Sequence, residues 1–204
     1  MITLPILTEN VAPLVGPPQG QWTYADWEKL PDDSNRYEII DGALYMTTAP
    51  SFFHQWIVSR LARYIGIPAE DKKLGLWAVA PVGVIMPGCD PVQPDFVIVL
   101  NKHASIIHDK RIFGVPDLIV EIMSPGNAVY DAQIKLAAYE RAGVPEYAII
   151  DPKMRTLSLY TLNQPNTYGQ PQLFGEQDQV SFACLTGITF AVNALFDGSP
   201  DSSL

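Results

Sequence analysis

Apolar and polar positions alternate along this chain with two different periods, and the switches between them predict the elements. Arg36-Tyr37-Glu38-Ile39-Ile40 and Ala43-Leu44-Tyr45-Met46 are β-rich runs around Asp41-Gly42, a strong hairpin dipeptide. From His54 to Ile65 the apolar positions Ile57, Val58, Leu61, Ala62 and Ile65 recur with helical spacing, and Gly66 and Pro68 end the run. Leu76 to Met86 and Pro94 to Leu100 read as strands separated by Pro87-Gly88-Cys89-Asp90-Pro91. Asp117 to Met123 reads as a third, followed by a turn at Ser124-Pro125-Gly126-Asn127. Asp131 to Arg141 has helical spacing, with Gly143 as its C-terminal stop signal. Glu146 to Asp151 is a fourth core strand, paired through Asp151-Pro152-Lys153 with Thr156 to Leu162.

The runs Phe96–Leu100 and Leu118–Val120 are almost continuously apolar, which predicts strands covered on both faces. The order is helix, three strands, helix, strand, with a hairpin in front and a strand behind. That order predicts an α/β sandwich. A short helix opens at Thr23-Tyr24-Ala25-Asp26-Trp27, with Thr23 able to cap it. Residues 1–21 are rich in Pro and Gly and read as an extended arm. Residues 22–162 form the expected domain. Residues 163–204, with apolar stretches at Val180–Cys184 and Ile188–Val192, form an extension expected to pack on it as a last strand and a tail.

Composition narrows the classes. The 204 residues are 48% apolar and 17% charged, enough for one sizeable core and too apolar for a disordered chain. No apolar run approaches the ~18 residues of a membrane span. The amino terminus has no basic region and meets Pro5 at once, unlike a secretory signal. Cys89 and Cys184 make neither a disulfide framework nor a metal-ligand pair, so a cytoplasmic location is expected. The net charge of −9 argues at first against nucleic acid, whose phosphates are bound by Lys and Arg. Residues 1–35 carry one basic and five acidic side chains, and residues 156–204 carry none and four. Residues 36–155 carry 12 basic and 13 acidic, so the excess belongs to the flanks and a phosphate-facing cleft stays open.

Three ionisable residues break apolar surroundings. Asp95 begins a buried-looking strand after Gln93-Pro94, and Glu121 sits inside Leu118-Ile119-Val120-Glu121-Ile122-Met123. A carboxylate there is costly unless paired or bound to a metal. Lys135 lies on the next helix, one turn after Asp131, so that the two share a face. Two carboxylates on adjacent strands can hold a hard cation such as Mg²⁺ or Mn²⁺, which polarises a phosphate and activates water. A nearby Lys stabilises the developing charge, which suits phosphodiester hydrolysis. The competing readings are structural: Asp95 capping a turn, Glu121 in a buried ion pair, and Asp131–Lys135 as an ordinary helix pair. Glu38, in another strand of apolar neighbours, either faces the same cleft or serves the hairpin. His54 opens its helix, where a backbone hydrogen bond competes with catalysis. His103 and His108 lie in a polar loop with Lys102, Lys110 and Arg111 and are expected to be solvated. Trp22, Trp27, Trp56 and Trp77 are expected in core or interface. Phosphate-loop, dinucleotide, zinc and nucleophile-elbow motifs are missing from the sequence.

A series of ordered blocks is more specific. Arg36-Tyr37-Glu38-Ile39-Ile40-Asp41-Gly42, Ala49-Pro50-Ser51 with His54-Gln55, Gln93-Pro94-Asp95, Gly114 to Pro125, Asp131 with Lys135, Gly143 to Tyr147 and Ile150-Asp151-Pro152 follow one another over about residues 23–162. This resembles the Uma-type, restriction-endonuclease-like family of the PD-(D/E)xK nuclease superfamily. The resemblance implies a mixed sheet sandwiched by helices, with an added N-terminal hairpin. By position, Pro94-Asp95 matches the superfamily's PD and Glu121 its D/E. The matching Lys position holds Met123, and the resemblance implies that Lys135 on the following helix takes its place. It also implies a Mg²⁺- or Mn²⁺-dependent DNA endonuclease, with Asp95 and Glu121 as metal ligands, Lys135 as helper, Glu38, His54 and Asp131 as accessory residues, and a homodimer by analogy. The alternatives are a catalytically inactive descendant serving in binding or assembly, and a hydrolase of smaller phosphate esters.

Overall fold

The computed structural model describes residues 14–33, 35–47, 49–124, 130–163 and 167–199, apart from the side chains of residues 130–132. In chain order the elements are α1 (Tyr24–Trp27), β1 (Arg36–Ile40), β2 (Ala43–Thr47), α2 (Phe52–Leu61), α3 (Ile67–Asp71), β3 (Gly75–Val79), β4 (Gly83–Met86), β5 (Cys89–Val92) and β6 (Phe96–Leu100). There follow β7 (Arg111–Phe113), β8 (Leu118–Ile122), α4 (Leu136–Ala142), β9 (Glu146–Asp151), β10 (Thr156–Asn163), β11 (Thr167–Tyr168), β12 (Gln172–Phe174), β13 (Gln179–Ser181) and β14 (Thr189–Ala191). A π-helical turn, Ala62–Gly66, joins α2 to α3, and another, Tyr130–Lys135, leads into α4.

The central sheet is seven-stranded, in the order β11-β10-β9-β8-β6-β3, with β12 also pairing β10. It is mixed: β8 and β9 run parallel and the other pairs antiparallel. All five residues of β8 are buried, the consequence of cover on both faces. On one face Phe96, Ile98, Leu118, Val120 and Ile122 pack with Ile57, Val58 and Leu61 of α2 and with the C-terminal Val180, Phe190 and Phe196. On the other, Val97, Val99 and Ile119 pack with Ala138, Tyr139 and Ala142 of α4 and with Ile40, Val84, Val92 and Ile112. The α/β sandwich is as expected, with differences in detail.

The β1–β2 hairpin does turn at Asp41-Gly42, where both φ angles are positive (50° and 73°) as an inverse turn requires. It is not an isolated addition. It joins β5, β4 and β7 in a second, five-stranded sheet, so the second face is covered by strands as well as by α4. The run Leu76–Met86 is two strands, β3 and β4, in different sheets, because Pro81 cannot donate to a ladder and breaks the run. The segment read as a connector, residues 87–91, instead turns at Gly88 and continues as β5 against β4. The helix at 131–141 begins as the π-helical turn and ends, as its sequence indicates, at Gly143 in the left-handed conformation with φ 86°. The C-terminal apolar stretches pair with each other as β13–β14 rather than as a single last strand. The turn at 125–127 lies outside the described residues, as do positions 1–13 of the arm.

Candidate active site

Asp95 immediately precedes β6 and Glu121 lies in β8. The antiparallel register Phe96↔Val120, extended by one residue, brings Asp95 opposite Glu121. Phe96, Val120 and Ile122 face the α2 side, so alternation turns Asp95 and Glu121 toward the second sheet and α4. Arg36 and Glu38 lie two residues apart in β1 and share a face in the same way. The segment Tyr130–Lys135 brings Lys135 down over the sheet from the helical side. Three elements of the core and one strand of the second sheet therefore converge on a single buried cluster.

Asp95 is 3% exposed and fully engaged. Its Oδ1 accepts from Arg36 Nη1 at 2.9 Å. Its Oδ2 accepts the Ile122 N–H at 2.9 Å and lies 3.1 Å from His54 Nε2. Burial opposes ionisation of this carboxyl. The His54 hydrogen bond and the positive field of His54, Arg36 and Lys135 prevail, and hold it well below the usual carboxylate range. His54 is fixed because Ser51 caps α2 and accepts the His54 N–H at 3.2 Å. The expected backbone hydrogen bond is made, and the side chain also reaches Asp95.

Glu121 and Glu38 are each 1% exposed and Lys135 is 2% exposed. Lys135 Nζ donates to Glu121 Oε1 at 2.8 Å and lies 3.2 Å from Glu38 Oε2. Tyr139, one helical turn beyond Lys135, donates to the same Glu121 Oε1 at 2.8 Å. Burial, reinforced by the charges of Glu121 and Glu38, raises the Tyr139 pKa well above its ordinary value, so the phenol stays a donor. Glu38 Oε1 accepts the Gln93 N–H at 2.6 Å, and Arg36 donates Nη2 to the Gln93 carbonyl. Burial works against the Arg36 charge, but Asp95, Glu38 and Glu121 overcome it and raise its pKa.

Of the residues singled out in the sequence, Asp95, Glu121, Lys135, Glu38 and His54 meet here. Asp131 belongs to the π-helical turn, and its side chain is outside the described residues. His103 is elsewhere, with Nδ1 2.9 Å from Asp117 Oδ1, and His108 packs edge-on to Phe113. The sequence does not single out Arg36, Gln93 or Tyr139 individually. The signals were spacings: Arg36 two before Glu38 in a strand, Gln93 two before Asp95, and Tyr139 four after Lys135 on a helix.

Among the described residues no group of three or more His, Cys, Asp or Glu side chains is arranged to hold a metal ion. The donor chemistry still suits a hard divalent cation, which commonly takes one or two carboxylates and retains water. Gln93, whose backbone N–H meets Glu38, carries a buried Oε1 without a hydrogen-bond partner. No helix among the described residues is long and apolar enough to cross a membrane.

Comparison with known proteins agrees with this architecture. The model of the family Uma2, described as "Putative restriction endonuclease", matches residues 23–193. The crystal structure of a "putative nuclease belonging to DUF820" from Anabaena variabilis is similar over 85% of this chain and 97% of that one. Its TM-score is 0.72 and its identity 18%, a likeness of fold. No curated protein matches.

Proposed function

The chain belongs to the Uma2 family of restriction-endonuclease-like proteins, and from that membership and its buried cluster we propose that it hydrolyses phosphodiester bonds of DNA with a divalent metal on Asp95 and Glu121. The observation that carries this reading is the facing pair Asp95 and Glu121 with Lys135 Nζ 2.8 Å from Glu121. A bound Mg²⁺ or Mn²⁺ supplies Lewis acidity toward the phosphate and a more acidic water. The protein's own groups do the rest. Arg36, His54 and the Ile122 N–H fix Asp95 in its ionised form, and Tyr139 fixes Glu121. Lys135 is a preformed positive charge for the developing phosphorane, in surroundings where burial strengthens it. The test is cleavage of supercoiled plasmid with Mg²⁺ or Mn²⁺ against a chelator control. Asp95→Ala and Glu121→Ala should be folded and inactive. Undiminished cleavage by pure Asp95→Ala protein overturns the proposal.

One observation favours a second reading, a nuclease-fold protein that binds without cutting. Lys135 and Arg36 already pair with the cluster's three carboxylates, Asp95, Glu38 and Glu121. Under this reading, neither Mg²⁺ nor Mn²⁺ raises the melting temperature and no metal restores cleavage.

A further inference from the structure

The two oxygens of Asp95 are held by different kinds of partner. Oδ2 meets fixed groups, the Ile122 N–H of β8 and His54 at the start of α2. Oδ1 has one partner among the described residues, Arg36 Nη1 at 2.9 Å, and that partner comes from the second sheet. Register pairing of β1 with β5 is confined to Ile40↔Cys89. Toward Arg36 the Gln93 backbone bonds β1 side chains instead: its N–H donates to Glu38 and its carbonyl accepts from Arg36 Nη2. The seat is incomplete, because Arg36 Nε is buried without a hydrogen-bond partner among the described residues. A guanidinium carries five N–H donors in a rigid fork, and a site built to keep it would satisfy them. The Arg36 side chain is 18% exposed, against 3% for Lys135. It also lines a cleft of about 560 Å³, with Asn35, Pro81 and Gln93. Of the two cations that pair with the cluster's carboxylates, Arg36 is therefore the one with space to leave.

Charge gives the reason to leave. Asp95, Glu38 and Glu121 face Arg36 and Lys135, which leaves one negative charge, His54 aside. A divalent ion added to both cations leaves one positive charge out of water, whereas one that takes the place of Arg36 leaves none. Uncompensated buried charge is the costlier state. The surrounding carboxylates raise the Arg36 pKa, so the residue gives way by moving and not by losing its proton.

We propose that Arg36 is a resident counter-ion: it covers Asp95 Oδ1 until a divalent ion takes that oxygen, and then turns into the cleft. The inference rests on the nuclease reading and adds to it the residue that regulates access to the metal site. The pairing of the three carboxylates then does not bar a metal. It lowers the apparent metal affinity by the fraction of molecules in which Oδ1 is uncovered.

The experiment uses the full chain and the metal alone. Isothermal titration with Mn²⁺ compares wild type with Arg36→Met, which keeps an apolar stem and removes the charge. Arg36→Met should bind Mn²⁺ about tenfold more tightly, an ordinary size for coupling between two bound groups. Nitrogen-15 NMR of the wild type follows the Arg36 Nε–H signal, identified by its loss in Arg36→Lys. Saturating Mg²⁺ should shift that signal and speed its exchange with water, because the buried Nε–H enters the cleft. This second readout needs only folded wild type to decide the question, whatever the stability of Arg36→Met. A wild type that binds Mn²⁺ while Mg²⁺ leaves the Arg36 signal unchanged overturns this inference and leaves the nuclease reading standing. A folded Arg36→Met that binds Mn²⁺ no more tightly than a binding wild type does the same. Absence of Mn²⁺ binding in both proteins overturns the inference and the metal reading together.

Discussion

Lys135 and Glu121 meet at 2.8 Å although they belong to different elements, and the same ammonium lies 3.2 Å from Glu38. One buried cation therefore serves two buried carboxylates. Its removal leaves two like charges facing each other out of water, a change that costs about 3–5 kcal/mol in comparable sites. Lys135→Met should lower stability by that order in urea denaturation and abolish cleavage. Adding Glu38→Gln to Lys135→Met should recover part of the stability, because the cycle removes one of the stranded charges. Strict additivity of the two changes would show that Lys135 and Glu38 are not coupled.

Asp95 predicts an acid limb. An unfolded aspartate titrates near ~3.9, whereas the folded carboxyl is held below its usual range by His54, Arg36 and Lys135 against the cost of burial. As pH falls through about 4, the unfolded chain takes up a proton that the folded protein refuses. The stabilisation is therefore complete above that value and is lost as pH drops toward the folded one. Urea unfolding of metal-free protein from about pH 6 to pH 2 should show this loss, and Asp95→Asn should flatten it. An unchanged slope in Asp95→Asn would assign the acid limb to other groups.

The strands bearing Asp95 and Glu121 are legible in the sequence because both faces are covered, which leaves near-continuous apolar runs in which one carboxylate stands out. Lys135 is legible through its ordered place in the resemblance, not through local pattern: a lysine on an amphipathic helix is ordinarily a solvated one. Beyond its β1–β2 hairpin, the second sheet is not legible. Its strands β4, β5 and β7 are four, four and three residues long, Pro91 sits inside β5, and β7 pairs in parallel with β4 across a long stretch of chain. Periodicity over so few residues does not separate strand from connector. That gap hid the reason Arg36 and Glu38 reach the core. The Tyr139 role was hidden similarly, since an aromatic at a buried helix position reads as packing until its hydroxyl is seen to reach a carboxylate.

Glu146 opens β9 and holds the C-terminal segment. Its Oε1 accepts the Ala183 N–H and its Oε2 the Cys184 N–H, both at 2.9 Å. Glu146→Ala removes both acceptors at once, with an expected cost of about 1–3 kcal/mol. Hydrogen exchange should lose protection at the Ala183 and Cys184 amides while the β8 amides keep theirs. Uniform loss across the core would mean that Glu146 stabilises the whole fold rather than this attachment.

Tyr139 donates to the Glu121 oxygen that also receives Lys135. Tyr139→Phe deletes the hydroxyl and keeps the ring in its edge-on contact with Tyr147, whose centroid is 5.0 Å away. Packing should survive, and the loss is that of one hydrogen bond to a charged group, about 1.5–3 kcal/mol. A Glu121 with one donor fewer is oriented less well and is a looser ligand. Tyr139→Phe should therefore raise the Mg²⁺ concentration needed for half-maximal cleavage, with a smaller effect on the rate at saturating metal. The raised Tyr139 pKa keeps the hydroxyl protonated, so the difference from wild type should not vary between about pH 6 and pH 9. A metal requirement identical to wild type, in a protein destabilised as expected, would confine Tyr139 to a structural role.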